Sequence, residues 1–361
     1  MSSPLERIVV KISRSRDKED TIHKSTYASD RDPGGKIDFM CVLEHFVDHL
    51  APIWVGLHKV GAAGGFHIPE KLRERAILDG VPAIFHVYDQ QPTNLLVVVA
   101  SIGDVRRCPA GKHLALVEHG CGLSWIPSYE KPRRAPNHSG GGGIRNRVEL
   151  FLMTNEWCAK WDRIEHPKSR VEIVGAPKLD WVTSHEFVRN DPPVIAYATH
   201  WDCFTVPETR SAFPWFQRAV QNLSKRYTIV GHAHPRAIEP WKYYARWGIQ
   251  VERVLSEVLK KADLFIGDGG SGPYEFAATG KPVVVCNAPI YRRDVHHGLR
   301  FWQAIPGIQC DTSEQLEACV ATALVDPPEL RRLREHAIST VYPFLGTATE
   351  RATSILLEWR G

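Results

Sequence analysis

At 361 residues and 40.7 kDa the chain is longer than one hydrophobic core ordinarily supports, so two domains are expected. Its 43% hydrophobic and 24% charged residues are those of a globular protein able to bury a sizeable core. A net charge of +4 with no long block of like charge permits an anionic substrate and gives no argument for nucleic-acid binding.

The N-terminal residues have no long apolar core or small-residue cleavage site, and no apolar run reaches the roughly 18 residues of a membrane helix. Eight cysteines are scattered without a CxxC pair or zinc-like spacing, which suits reduced, buried thiols better than a disulfide framework. A cytoplasmic protein without a membrane span is expected.

In chain order, residues 8–12 read as a short strand and are followed by a polar stretch through Gly35. Residues 39–50 (FMCVLEHFVDHL) space their apolar side chains as an amphipathic helix does. Residues 95–102 (LLVVVASI) form a continuous apolar run of the kind buried on both faces of a parallel sheet. Residues 113–117 are a strand ending in Glu118-His119-Gly120, then a basic, proline-bearing loop closes in four glycines at 140–143. Residues 148–153 are a strand that runs into Thr154-Asn155-Glu156, an acceptable helix start, and 171–174 are another. The polar stretch through Asp191-Pro192-Pro193 is the expected domain boundary.

The alternation then repeats. Residues 194–198 are a strand leading to Thr199-His200-Trp201-Asp202, 213–223 a helix, 227–230 a strand, and 231–236 a turn carrying His232 and His234. Residues 254–261 read as a helix. Residues 308–310 are a strand before Thr312 and Gln315, whose spacing is that of a capping box for a helix through Leu324. Helices over 329–339 and 347–359 complete the chain. Strands alternating with helices on both sides of a linker predict two doubly wound α/β domains.

The most informative stretch is 262–287 (ADLFIGDGGSGPYEFAATGKPVVVCN), a strand, a turn with four glycines, a helix opening near Pro273 and a second strand. Backbone N–H groups of such a turn, at a helix start, favour an anion, phosphate above all. Doubly wound sheets bind ligands beyond the carboxyl ends of their strands. His119, His200, His232, His234 and residues 268–271 all follow strands, so they are expected to converge on a cleft between the domains.

Four segments carry a family resemblance: Glu118-His119-Gly120 after its strand, Val174-Gly175-Ala176-Pro177-Lys178-Leu179-Asp180, Gly231-His232-Ala233-His234-Pro235, and 266–285. Their order resembles that of GT-B nucleotide-dependent transferases, within them the CDP-glycerol glycerophosphotransferase-like group, with kinship to non-hydrolysing UDP-N-acetylglucosamine 2-epimerases. The resemblance spans roughly residues 95–290 and implies a GT-B-like fold of two Rossmann-like domains facing a cleft. It implies an acceptor-binding domain over 1–185, a nucleotide-donor-binding domain over 192–345, and a C-terminal helix over 346–361 packing back on the first.

The resemblance further makes His119 a general base for the acceptor hydroxyl, a task for which an imidazole is suited. It sets His234 near the donor phosphates, with His232 as a substitute. Gly269, Gly270, Ser271 and Gly272 resemble the phosphate-binding turn and Glu275 the glutamate that holds the nucleotide ribose; His200 is a further candidate for the donor pocket. The turn departs from both relatives, which tend to show Asp-Tyr-Ser-Ser or Asp-Ser-Gly-Gly, so the donor's identity stays open. No cofactor or metal is implied, only a UDP- or CDP-linked donor as substrate.

Several other patterns are discounted. The glycines at 140–143 lack a preceding strand and a Lys-Ser/Thr ending, so they read as a flexible acceptor loop and not as a P-loop. The glycines at 267–272 miss the dinucleotide fingerprint. His296-His297 lacks further ligands for a metal, and Arg133-Arg134 and Arg292-Arg293 read as solvated faces.

The leading expectation is a transferase moving a glycosyl or glycerophosphoryl group to a hydroxyl. The acceptor can be a polymer, either a cell-wall polymer or DNA with a modified base, lying along the basic loop over 131–147. A UDP-sugar 2-epimerase and an inactive nucleotide-sugar-binding protein are the alternatives.

Overall fold

The computed structural model describes residues 35–121, 142–202, 207, 210–234, 237–291 and 304–361. Seven parallel strands form the first sheet: β1 (Ile37–Met40), β2 (Ala63–Ile68), β3 (His86–Tyr88), β4 (Leu96–Val99), β5 (His113–Val117), β6 (Val148–Met153) and β7 (Arg170–Ile173). Their spatial order is β3-β2-β1-β4-β5-β6-β7. Six more, β8 (Val194–Thr199), β9 (Thr228–Ala233), β10 (Gln250–Val251), β11 (Leu264–Gly267), β12 (Val283–Cys286) and β13 (Ile308–Cys310), form a second parallel sheet in the order β10-β9-β8-β11-β12-β13.

Eleven α-helices are described. The first sheet is flanked by α1 (Glu44–Lys59), α2 (Arg73–Leu78), α3 (Ile102–Arg107) and α4 (Glu156–Glu165). The second region carries α5 (Phe213–Leu223), α6 (Ile238–Arg246), α7 (Leu255–Lys261), α8 (Gly272–Ala277), α9 (Leu316–Val325) and α10 (Pro328–Val341); α11 (Ala348–Arg360) closes the chain. The chain is thus two doubly wound Rossmann-like units. The strand order reverses between β1 and β4 in the first sheet and between β8 and β11 in the second. Each reversal opens a crevice at the carboxyl ends of the strands, where doubly wound sheets receive ligands.

Burial explains the strands. Leu96 to Val99 of β4 and all four residues of β1, β11 and β12 are buried, as expected of strands covered on both faces. Asp38, fully buried in β1, accepts hydrogen bonds from the backbone N–H of Gly65 (2.8 Å), Thr93 (2.9 Å) and Asn94 (2.8 Å) and from Asn94 Nδ2 (2.6 Å). Burial alone would raise its pKa; these donors, with His67, bring it down to about 2.

Several expectations need correction. The helix expected over 39–50 begins only at Glu44 and runs to Lys59, because Phe39 and Met40 are the end of β1. The strand expected to end at Val230 continues through His232 to Ala233, paired with β8, so His232 is a strand residue and not part of a turn. Thr312 precedes a single helical turn (Ser313–Gln315) but makes no side-chain cap; Gln315 Oε1 instead accepts from the Asp311 N–H at 3.3 Å. Ile102 opens α3 and does not extend the preceding strand. Asn155 does cap α4, accepting from the Cys158 N–H at 3.1 Å. The strand expected over 8–12, Arg133-Arg134, Arg292-Arg293, His296-His297 and the first two glycines of 140–143 lie outside the described residues; the last two of those glycines belong to the 3₁₀-helix Gly142–Arg147. The seven described cysteines are free, and six of them are buried. No helix among the described residues is long and apolar enough to cross a membrane.

The chain's last helix returns to the first sheet. Ala352, Ile355, Leu356 and Trp359 of α11 share a core with Leu50, Trp54 and Leu57 of α1. Gly56 makes that approach possible, since a Cβ there would stand 2.4 Å from Thr353 Oγ1. The helix start is held by Asp180, from the 3₁₀-helix Pro177–Ser184, which accepts from the N–H groups of Gly346 (3.0 Å), Ala348 (3.1 Å) and Thr349 (2.6 Å). A carboxylate at a helix N-terminus satisfies orphan donors and meets the favourable end of the dipole. Asp180→Ala is expected to cost about 1–3 kcal/mol of stability, since three N–H groups lose their acceptor. Urea unfolding measures it, and an unshifted midpoint would remove Asp180 from the fold's anchors.

Candidate functional site

The carboxyl ends of both sheets open onto one cavity of about 690 Å³, a volume that accommodates a nucleotide with a group attached. The first domain supplies the segments after β1, β4 and β5; the second supplies those after β8, β9 and β11. His119, His200, His232, His234, Gly269, Gly270, Ser271, Gly272 and Glu275 all line this cavity, so the structure brings these nine together, whereas Asp268, grouped with them in the sequence, is buried and is not among the lining residues.

His119 follows β5, where Gly120 at φ +84° turns the chain. Its Nδ1 lies 2.9 Å from the Ala100 carbonyl oxygen. A carbonyl only accepts, so Nδ1 carries the hydrogen and Nε2 is left with the lone pair in the neutral ring. Phe46 packs edge-on against the ring, centroids 4.6 Å apart. Burial lowers the pKa of this imidazole, with Lys178 and Arg145 acting in the same direction and Glu118 and the Ala100 bond opposing them. Glu118 is itself committed: its Oε2 accepts from Arg145 Nη2 at 3.1 Å, and the same guanidinium donates to Asp162 Oδ1 at 3.1 Å.

The other N-terminal contributors escape a reading of the sequence. His45, Asp48 and His49 stand three and four residues apart on α1 and form one polar stripe along a helix whose other faces are buried. The spacing is visible in the sequence, but a polar stripe on an amphipathic helix reads as the solvent face. Here it faces the cavity. The His45 ring centroid lies 6.3 Å from that of His119 and 5.4 Å from that of His234, so this ring bridges the two domains. Burial lowers the pKa of His49, helped by Lys178, His119 and His45. Burial raises Asp48 to about 6 against the pull of Lys178 and Arg75.

On the C-terminal side, Asp268 organises the strand ends. Its carboxylate accepts from the N–H of His200 (2.7 Å), the N–H of Ala212 (2.7 Å) and the Ser211 hydroxyl (3.3 Å). Gly270, at φ +88°, lies against His200; a Cβ there would meet the ring's Cδ2 at 2.9 Å. His234 packs with its ring tilted against His200, centroids 5.5 Å apart, and against Trp201 at 6.1 Å. His232 is fixed by its Nδ1, 2.8 Å from the Glu252 carbonyl oxygen, and burial lowers its pKa.

Glu275, in the first turn of α8, is 1% exposed. Lys178 Nζ, from the N-terminal domain, lies 2.9 Å from Glu275 Oε1, and apart from this ion pair neither carboxylate oxygen has a hydrogen-bond donor among the described residues. A buried carboxylate in that condition is costly unless something else reaches it. Six cationic side chains line the cavity (Arg75, Arg106, Arg107, Arg145, Lys178 and Arg253) against four carboxylates (Glu44, Asp48, Glu118 and Glu275), a balance that favours an anionic ligand. Among the described residues no group of three or more His, Cys, Asp or Glu side chains is placed to hold a metal ion.

No protein-family model matches the chain, and no curated protein matches it. Solved structures do. The wall teichoic acid polymerase TagF superposes over 99% of this chain and 96% of its own, at 13% identity and a TM-score of 0.59. MnaA of S. aureus with UDP covers 90% of this chain and 96% of its own, at 14% identity and a TM-score of 0.60. The UDP-GlcNAc 2-epimerase of Neisseria meningitidis bound to UDP-GlcNAc covers 90% of this chain and 100% of its own, at 14% identity and a TM-score of 0.59. These neighbours come from the two groups that the sequence motifs resemble, and the likeness shows the fold, GT-B-like with two Rossmann-like domains.

The electrostatics of the cavity are open to direct measurement. In a proton NMR titration the His119 imidazole is expected to protonate below its ordinary 6.5 and to be neutral at pH 7. A value at or above 6.5 would mean that Glu118 outweighs burial and the neighbouring cations.

Proposed function

We propose that this chain is a transferase that moves a glycosyl or glycerophosphoryl group from a nucleotide-activated donor to an acceptor hydroxyl. The C-terminal domain holds the donor and the N-terminal domain presents the acceptor. The observation that carries this reading is the pairing, in one cavity, of an imidazole with an accepting ring nitrogen, His119, and a buried carboxylate, Glu275, that has Oε2 left over from its ion pair with Lys178, beside a glycine turn.

In this mechanism the donor's phosphates lie at the 269–272 turn, and Glu275 accepts from the ribose hydroxyls. The acceptor oxygen attacks the transferred centre, which is C1 of a sugar or the phosphorus of a glycerophosphoryl group. As that bond forms, His119 Nε2 takes the hydroxyl proton. The bond to the nucleotide breaks with its electron pair staying on the departing nucleotide: a nucleoside diphosphate for a sugar, a monophosphate for glycerophosphoryl. His234 and the turn's N–H groups face the charge that develops there. Two structural neighbours hold UDP or UDP-GlcNAc, which supports a UDP-linked donor. Arg106 and Arg107, exposed at the N-terminal rim, favour an acceptor with anionic groups, such as a cell-wall polymer or DNA bearing a hydroxylated base.

A UDP-sugar 2-epimerase is the second reading, favoured by the equal likeness to epimerase structures. Against it, the strand-end acid Glu118 is bound by Arg145 and so is poorly disposed to exchange protons with a substrate.

A screen of UDP-, CDP-, GDP- and dTDP-linked donors by thermal shift tests the reading, because a ligand at 100 times its Kd stabilises the fold by about 2.7 kcal/mol. With the binding donor in hand, nucleotide release supports the transferase, exchange at the sugar's second carbon the epimerase, and tight binding with neither an inactive binding protein. His119→Ala is expected to abolish transfer and leave donor affinity nearly intact; loss of affinity instead would make the base assignment wrong. Since the base must be neutral and its pKa is lowered, the acid limb of kcat/KM is expected below pH 6.5, with a plateau by neutrality. A limb above 6.5 would point to another group.

A further inference from the structure

Among the cations that line the cavity, most are already committed or lie at the rim. Arg145 is held by Glu118 and Asp162, both at 3.1 Å. Arg75 is held by Asp79 at 2.9 Å and faces Asp48 at 3.7 Å. Arg106, Arg107 and Arg253 are exposed. Lys178 differs: its side chain is 11% exposed, it crosses from the N-terminal domain to the helix that begins at the glycine turn, and its partner there is a buried carboxylate with no other donor among the described residues.

A buried pair that existed only to tie the domains together would gain stability when its remaining oxygens were satisfied by donors. Glu275 has no such donors, and both partners face the space where a ligand enters. Glu275 and Asp48 hold the Lys178 ammonium charged in spite of its burial, so an anion that enters finds a fixed positive charge already desolvated.

Resting on the transferase reading above, we propose that Lys178 is a donor-site residue: its ammonium meets the donor's diphosphate beside the 269–272 turn, while Glu275 takes the ribose hydroxyls. The donor site is then assembled from both domains. Lys178 also faces the negative charge that builds on the nucleotide as its bond to the transferred group breaks. Lys178 sits in the Gly175-Ala176-Pro177-Lys178-Leu179-Asp180 segment, two residues before the carboxylate that anchors α11, so its backbone position is fixed by the fold.

The two ligand contacts separate by calorimetry or NMR with UDP and CDP against uridine and cytidine. Wild-type binding of UDP or CDP is the reference. If neither binds, and the screen finds no GDP- or dTDP-linked donor to use in their place, the transferase reading fails and this inference falls with it. Given binding, Lys178→Met is expected to weaken the diphosphate by tenfold or more and to leave the nucleoside within twofold, whereas Glu275→Gln weakens both. If Lys178→Met weakens diphosphate and nucleoside equally, Lys178 acts only through Glu275 and the proposal is overturned; unchanged affinity for both overturns it as well, with the transferase reading intact. Should Lys178→Met fail to fold because it strands Glu275, the double variant Lys178→Met with Glu275→Gln replaces the pair by neutral groups. Compared with Glu275→Gln alone, it must lose further affinity for UDP or CDP and none for the nucleoside.

Discussion

One carboxylate, that of Asp180, holds the end of the chain to its beginning. It gathers the first N–H groups of α11, and the helix so anchored lies on α1. The crossing is tight: Gly175 has φ +84°, and a Cβ at that position would come within 2.4 Å of the Pro343 carbonyl oxygen. Because α11 and the sheet between them bury the apolar faces of α1, that helix has one direction left for its polar residues. His45, Asp48 and His49 therefore turn to the cavity, and the first domain's share of the site follows from how the last helix is secured.

The buried charges of the cavity wall are paired, and burial disfavours the charged form of His49, His119 and His232. Arg145 lies between two carboxylates, and Lys178 faces Glu275 with Asp48 adding its field. Taking such groups out of water is expensive unless partners compensate, and removing one partner leaves the other stranded. The same cations disfavour further positive charge, so His49 and His119 are held neutral by burial and by these neighbours together. The proposed transfer, in which an alcohol gives up a proton beside bound phosphates, would need both conditions, a neutral imidazole and a preserved positive field.

The sequence discloses the architecture because parallel strands buried on both faces are continuous apolar runs, and residues 96–99, 114–117, 150–153, 264–267 and 283–286 are such runs. It discloses less where that signal breaks. In β2 the pair Gly64-Gly65 interrupts the apolar pattern because the Asp38 carboxylate occupies the space of a side chain, a Cβ on Gly64 standing 2.2 Å from Asp38 Oδ1. β3 and β10 are three and two residues long, too short for periodicity. β9 extends beyond its apolar run because Gly231-His232-Ala233-His234 has turn composition, yet Gly231 is needed there for contact with the Tyr244 ring, whose Cδ2 would stand 2.7 Å from a Cβ at that position. In the site, residues directly after strands can be picked out by position alone. Lys178, Asp48 and His45 cannot, since their importance depends on how two domains and a returning helix are set against each other.

The glycine turn of the second domain has a consequence for how a ligand would be received. Its shape is imposed from within, by the three hydrogen bonds that Asp268 accepts and by the contact of Gly270 with the His200 ring. The conformational entropy of ordering the 268–272 turn is therefore lost when the chain folds, and little of it is left to lose at the moment of association. A ligand's encounter with such a surface resembles docking onto a rigid template, with an affinity set by complementarity and water release more than by loop closure.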